Sequence, residues 1–235
     1  MDIAYFSDIH SDRYQGNREI FSNKKDNDVL IIAGDTCDGF NTRRLDAIIK
    51  LAESFNISFY VPGNHEYYHN DIDELNFKLA EYFKDTNIMF LNKNVAYYKD
   101  QRFIGCTLWS DIFVEQEAAI AGALNDFDVI KNMSTARWKE LHTEHLTWLK
   151  SHMKKDDIII THHAPTYKVR RNANATMIDS AFCTSLESLC YEPNAPKAWF
   201  FGHCHNIWSE IINNTRFYIN VPKDGRDGWF KYATT

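Results

Sequence analysis

The sequence predicts an α/β fold, and three observations carry that prediction. Short apolar runs alternate with amphipathic helical stretches along the chain. Several of those runs are apolar at successive positions, as strands covered on both faces are. Five of them lead directly into polar clusters rich in Asp, His and Asn, and in α/β sheets ligands gather outside the carboxyl ends of the strands.

The bulk properties fit this class. The chain has 235 residues, 44% hydrophobic and 25% charged, ordinary values for a soluble globular protein. One domain spanning residues 1–235 is expected. No apolar run approaches the roughly 20 residues of a membrane helix, so no membrane association is expected. Asp2 stands where a signal peptide needs a base, which points to the cytoplasm. The net charge is −6. That excess of acid disfavours long nucleic acid, whose binding depends on neutralising phosphates. The cysteines, Cys37, Cys106, Cys183, Cys190 and Cys204, form no C-x-x-C pair and read as reduced structural thiols.

Strands are expected at residues 3–6, 29–33, 57–61, 88–91, 102–108, 158–161, 198–201 and 217–221. Helices are expected at 43–55, where Leu45, Ile48, Ile49 and Leu51 share a side, and at 73–83, where Leu75, Leu79 and Phe83 recur at helical spacing. A third is expected at 134–153, with Ser134 as N-cap and Trp138, Leu141, His145 and Trp148 on one face. Residues 110–133 are the least regular and read as an insertion near the site.

The five clusters follow the strands in order. They are Ser7-Asp8-Ile9-His10, Gly34-Asp35-Thr36-Cys37-Asp38, Pro62-Gly63-Asn64-His65-Glu66, Thr161-His162-His163-Ala164-Pro165 and Gly202-His203-Cys204-His205. Any one alone reads as a turn, a helix cap or a surface histidine. Five in register with five strands do not. Asp, His and Asn without an organised thiolate suit Mn, Fe or Zn, with Mn favoured. At a strand end, Asp8 and His10 point the same way, as do His203 and His205, so each pair can reach one ion. Asp35 can bridge two ions, and Asn64 offers a neutral oxygen. Two divalent metal ions roughly 3.5–4 Å apart can clamp a phosphoryl group and generate a bridging hydroxide.

These blocks, D-x-H, G-D-x-x-D, G-N-H-E, a lone His and G-H-x-H, resemble the signature of the calcineurin-like metallophosphoesterases. The resemblance spans Asp8 to His205. It implies a four-layer α/β/β/α sandwich of two mixed sheets flanked by helices, with a dinuclear site. By position, it makes Asp8, His10, Asp35 and His205 the ligands of one ion. Asp35, Asn64, His162 and His203 would hold the other. His65 resembles the family's catalytic histidine, which protonates the leaving oxygen, and Asp38 the aspartate that orients it.

The resemblance also has departures. The arginine that follows the second Asp in the protein phosphatases of this superfamily is absent; Gly39 and Phe40 follow Asp38. The capping domain of the related repair nucleases is absent too. The stretch Thr107-Leu108-Trp109-Ser110-Asp111, with Asn125-Asp126-Phe127, resembles small bacterial and phage phosphohydrolases. Trp109, Asp111 and Asp126, with Asn64, are expected to touch substrate. His163 is expected to support the site or pack beneath it. His142 and His145 read as helix packing, and Cys204 should point away from its histidine neighbours.

The expected function is hydrolysis of a small phosphorylated substrate, a phosphomonoester or small phosphodiester, by attack of a metal-bridging hydroxide. The alternatives are a nuclease and a non-catalytic metal-binding module of the same fold.

Overall fold

Every expected strand forms, and the apolar runs explain where each one sits. The computed structural model describes residues 1–11, 29–170, 176–222 and 230–234. Strands β1 (Asp2–Phe6), β2 (Val29–Ile32), β3 (Ile57–Tyr60) and β4 (Ile88–Phe90) lie parallel in that order. Strand β11 (Lys231–Thr234) adds antiparallel to β1, giving a five-stranded sheet β11-β1-β2-β3-β4. The second sheet has the order β5-β6-β7-β8-β10-β9. In it β6 (Gln101–Cys106), β7 (Ile158–Thr161), β8 (Ala198–Phe201) and β10 (Thr215–Asn220) are parallel, while β5 (Asn94–Tyr98) and β9 (Ile207–Ile212) run antiparallel at the two edges.

The three strands that the apolar pattern does not announce, β5, β9 and β11, are all edge strands. Each buries few side chains; in β5 only Ala96 is fully buried and in β11 only Ala233. An edge strand is paired on one side only, so it needs no continuous apolar run.

Alternation along the central strands makes the layers. Ile3, Tyr5, Val29, Ile31 and Phe59 of the first sheet meet Phe103, Ile158, Ile160, Ala198 and Phe200 of the second, with Phe59 stacked on Phe103 at 3.9 Å. Side chains of opposite parity, Ala4, Phe6, Leu30 and Ile32, pack outward beneath helices α1 (Thr42–Ala52) and α2 (Ile72–Phe83). On the far side Ile159, Trp199 and Phe201 pack with Leu149 and Met153 at the end of α5 (Thr135–His152). The chain is thus a four-layer sandwich of two mixed sheets flanked by helices.

Helices α1 and α2 begin one residue earlier than the apolar periodicity indicates and α5 one residue later, each directly after a polar cap. Asn41 accepts from Arg44 N, Asp71 from Asp73 N and Glu74 N, and Ser134 from Arg137 N. Residues 110–133 form two short helices, α3 (Glu117–Ala123) and α4 (Asp126–Val129). No helix among the described residues is long and apolar enough to cross a membrane.

Candidate metal centre

The five polar clusters converge because their strands are parallel within each sheet and the strand ends of the two sheets meet. Asp8 N donates to Gly34 O at 2.9 Å, Gly202 N to His162 O at 2.9 Å and Ser7 N to Asn220 O at 3.0 Å. The turns are unusually tight. Asp8, His10, Asp35, His203 and His205 all have φ between 40° and 65°, a region that Asp and His enter more readily than most residues but still at a cost. Two glycines make room. Gly34 has φ +86° and a Cβ there would lie 2.5 Å from His162 Nδ1; at Gly63 it would lie 2.1 Å from Asp35 Oδ1.

The ligating atoms form two groups, connected by a third made of His10, Asp35 and His65. Those of Asp8, His10 and His205 lie within 4.8 Å of one another, and so do those of Asp35, His162 and His203. Asp35 stands between the groups: its Oδ2 is 3.4 Å from His162 Nε2 and 3.8 Å from His10 Nε2. Asn64 joins the second group, with Oδ1 3.0 Å from His162 Nε2.

The side chains are arranged for a cation. His162 Nδ1 donates to Ala33 O at 2.8 Å, which leaves the lone pair of the neutral ring on Nε2. That lone pair faces two oxygens, of Asn64 and Asp35, neither of which is a donor. Only positive charge between them satisfies this set. The electrostatics point the same way: burial opposes protonation of His162, but Asp35 and Asp8 outweigh it and push its pKa up to about 10. His203 Nε2 is buried with no hydrogen-bond partner among the described residues. Burial and Asp35 raise the pKa of Asp8 against the pull of His162 and His205. Burial would do the same to Asp35, but His162, His65 and His10 hold it well below the usual carboxylate range. Divalent cations fit this donor set, with imidazole and carboxylate in mixture.

His65 lies at the mouth. It begins a short 3-10 turn, His65–Tyr67, anchored by His65 N donating to Asp35 Oδ1 at 2.9 Å. Its Nδ1 donates to Asp38 Oδ1 at 2.6 Å, so Nε2 is the atom left for chemistry, 3.9 Å from Asp35 Oδ2. Partial burial disfavours its charged form, yet Asp35 and Asp38 together raise its pKa. A positioned imidazolium is what protonation of a leaving oxygen requires.

The other residues named from sequence fall into distinct places. Trp109 is fully buried and stacks on His163, beneath the cluster and not at its surface. Asp111 is exposed, its backbone N–H donating to Thr184 Oγ1. Asp126 is buried and accepts from Asn64 Nδ2 at 2.7 Å. His163 packs against His203 at 4.1 Å between ring centroids. His142 donates to Leu108 O and His145 accepts from Leu108 N, both at 3.2 Å, so both hold backbone. Cys204 turns from its neighbours toward Cys183, with 3.6 Å between sulfurs.

Two residues were given no role by sequence reasoning. Glu66, the last residue of Gly63-Asn64-His65-Glu66, proves to be a buried hub of the loops. Tyr68 had no sequence signal at all; its ring stacks on His65 at 4.2 Å and its hydroxyl lies 3.3 Å from His65 Nε2.

The calcineurin-like phosphoesterase profile matches residues 1–206. The chain belongs to that family. An uncharacterized protein of Acanthamoeba polyphaga mimivirus is 29% identical over 244 aligned residues, covering 90% of this chain and 87% of the viral one. Among solved structures, a phosphopantetheinyl hydrolase from Mycobacterium tuberculosis superposes with a TM-score of 0.78 at 14% identity, covering 98% of this chain and 95% of that one. A Thermus thermophilus protein superposes with a TM-score of 0.56 at 13% identity, covering 99% and 97%. This calcineurin-like phosphoesterase therefore shares the metallophosphoesterase fold over its length, and its His and Asp groups could bind the metal ions on which the family depends.

Proposed function

We propose that this chain is a dinuclear metal-dependent phosphoesterase that hydrolyses a small phosphomonoester or phosphodiester. The observation that carries this reading is the pair of ligand groups with Asp35 between them and His65 beside them. Asp8, His10, Asp35 and His205 would hold one divalent cation; Asp35, Asn64, His162 and His203 would hold the other. Bound there, the cations would supply neutralisation of phosphoryl charge and activation of water.

The remaining work belongs to the chain. Ala33 O fixes the tautomer of His162, and the Asp8 carboxylate accepts from His203 N at 3.0 Å, which ties the two sides of the site together. Asp38 holds His65 by Nδ1, so Nε2 presents its proton toward the departing oxygen. Manganese is the favoured ion and the cytoplasm the favoured compartment. The substrate is small and phosphorylated: an acidic chain of net charge −6 has little to offer long nucleic acid.

The deciding experiment compares nitrophenyl phosphate with bis-nitrophenyl phosphate. Protein is stripped of metal, reloaded with Mn²⁺ and assayed beside Asp35→Asn. Hydrolysis of either ester that needs both Mn²⁺ and Asp35 supports the reading, and the preferred ester assigns monoesterase or diesterase chemistry. Activity that survives stripping or the substitution refutes it.

A further inference from the structure

Asn64 is a side chain whose two ends differ in chemistry and barely differ in shape. Its Oδ1 can serve a cation; its Nδ2 carries two protons and cannot. A half-turn of the amide would place N–H groups where the oxygen stands, 3.0 Å from His162 Nε2. Something must decide between the two orientations.

Asp126 supplies the decision. It lies 3% exposed in α4, within the irregular stretch between β6 and α5. Its Oδ1 is 2.7 Å from Asn64 Nδ2. A carboxylate only accepts hydrogen bonds. With the amide turned round, two acceptors would face each other in a buried space, at the full cost of an unsatisfied pair. The second oxygen extends the pattern: Tyr68 OH donates to Asp126 Oδ2 at 3.4 Å, and the same hydroxyl oxygen lies 3.3 Å from His65 Nε2. With its proton on Asp126, the hydroxyl presents a lone pair to His65 Nε2. Every donor and acceptor in the row from Asn64 to His65 then has a consistent direction.

We infer that Asp126 is a positioning residue: it fixes the oxygen of Asn64 toward the metal pair and, through Tyr68, aligns the resting His65. This rests on the reading of Asn64 as a metal ligand. It also gives residues 110–133 a part in the site, through α4. Partners that orient a metal ligand typically change affinity by about 10- to 100-fold when they are lost.

The test is a Mn²⁺ titration of metal-free protein, followed by calorimetry. The variants are Asp126→Asn, Asn64→Asp and the combination N64D/D126N, with the melting temperature of each metal-free form measured alongside. Asp126→Asn keeps the shape but can either donate or accept, so Asn64 is no longer directed. One of the two binding steps should weaken about 10- to 100-fold while the other holds. The combination swaps the amide and the carboxylate. The introduced carboxylate can serve the ion with one oxygen and accept from the introduced amide with the other, so affinity should recover toward wild type. A residue that merely packs would show no such recovery. If Asp126→Asn does not fold, recovery of folding and of two-ion binding in the combination still carries the inference, and failure of both overturns it. Wild-type protein that binds two Mn²⁺ while Asp126→Asn binds them equally well overturns this inference alone. Wild-type protein that takes up no Mn²⁺ overturns the metal-site reading and this inference with it.

Discussion

The carboxylate of Glu66 accepts from the backbone N–H of Asp35 at 2.9 Å, and so fixes from behind the residue that stands between the two ligand groups. The same carboxylate accepts from Gly63 N at 2.7 Å, Thr36 N at 2.6 Å, Thr36 Oγ1 at 2.9 Å and Tyr60 OH at 2.7 Å. The loops after β2 and β3 are therefore held by one fully buried side chain. Glu66→Ala would leave three buried backbone donors unpaired, those of Asp35, Thr36 and Gly63, at about 1–3 kcal/mol for each group left without a partner. The expected result is a loss of at least about 3 kcal/mol in urea unfolding of metal-free protein. A loss below about 1 kcal/mol would show that the hub is dispensable.

Asp35→Asn and His65→Ala should each lower kcat at least about a hundredfold, as typical losses of a charge-stabilising group and a general acid do. They should differ in metal content: Asp35→Asn should lose Mn²⁺, and His65→Ala should keep it. Asp38→Asn should cost less than His65→Ala, because Asp35 also raises the pKa of His65. Steady-state kinetics beside metal analysis checks all three, and near-wild-type turnover in either of the first two would remove the mechanism.

Gly63→Ala tests the closeness of the loops. The added Cβ would meet Asp35 Oδ1 at 2.1 Å and His162 Cε1 at 2.8 Å. Both belong to the centre, so neither can yield without moving it. The variant should fold with Mn²⁺ affinity lowered at least about tenfold. Unchanged binding would mean that the loop has slack.

Stability should fall in acid through His145. Burial and nearby positive charge hold its pKa down at about 3, and its Nδ1 must stay unprotonated to accept from Leu108 N. The folded value lies below the unfolded one of about 6.5. The contribution is thus fully present above about pH 6.5 and is lost progressively as the pH falls toward 3. Between pH 7 and pH 5 this histidine alone should cost roughly 2 kcal/mol. Denaturant unfolding across that range should show the slope, and His145→Gln should flatten it by about one proton. An identical slope in the variant would assign the acid sensitivity elsewhere.

Metal should stabilise the fold, because cations would neutralise Asp8 and Asp35 where burial makes bare charge expensive. Mn²⁺ at about a hundred times its dissociation constant is worth about 2.7 kcal/mol per site. That corresponds to a rise in melting temperature of roughly 5–10 °C for a chain of this size. Differential scanning fluorimetry of stripped and reloaded protein would measure it. No shift would argue that the clusters hold no ion in the folded state.

The sequence by itself determined the central strands and the chemistry at their ends. Both are local properties: a strand buried on two faces needs a continuous apolar run, as at Val29–Ile32 and Ile158–Thr161, and a ligand at a strand end needs only its own residue type at the right offset. The edge strands β5, β9 and β11 escaped that reading because a strand paired on one side can be half polar. The tertiary structure alone decided how the ends meet and what holds them there. Asp126 reaches Asn64 across 62 positions of chain, and Glu66 reaches Asp35 across 31. No periodicity records such contacts, because a single buried hydrogen bond between distant residues leaves no pattern in the residues beside it. Trp109 likewise reads as a strand-end residue like the ligands, and only packing places its ring beneath the cluster, against His163.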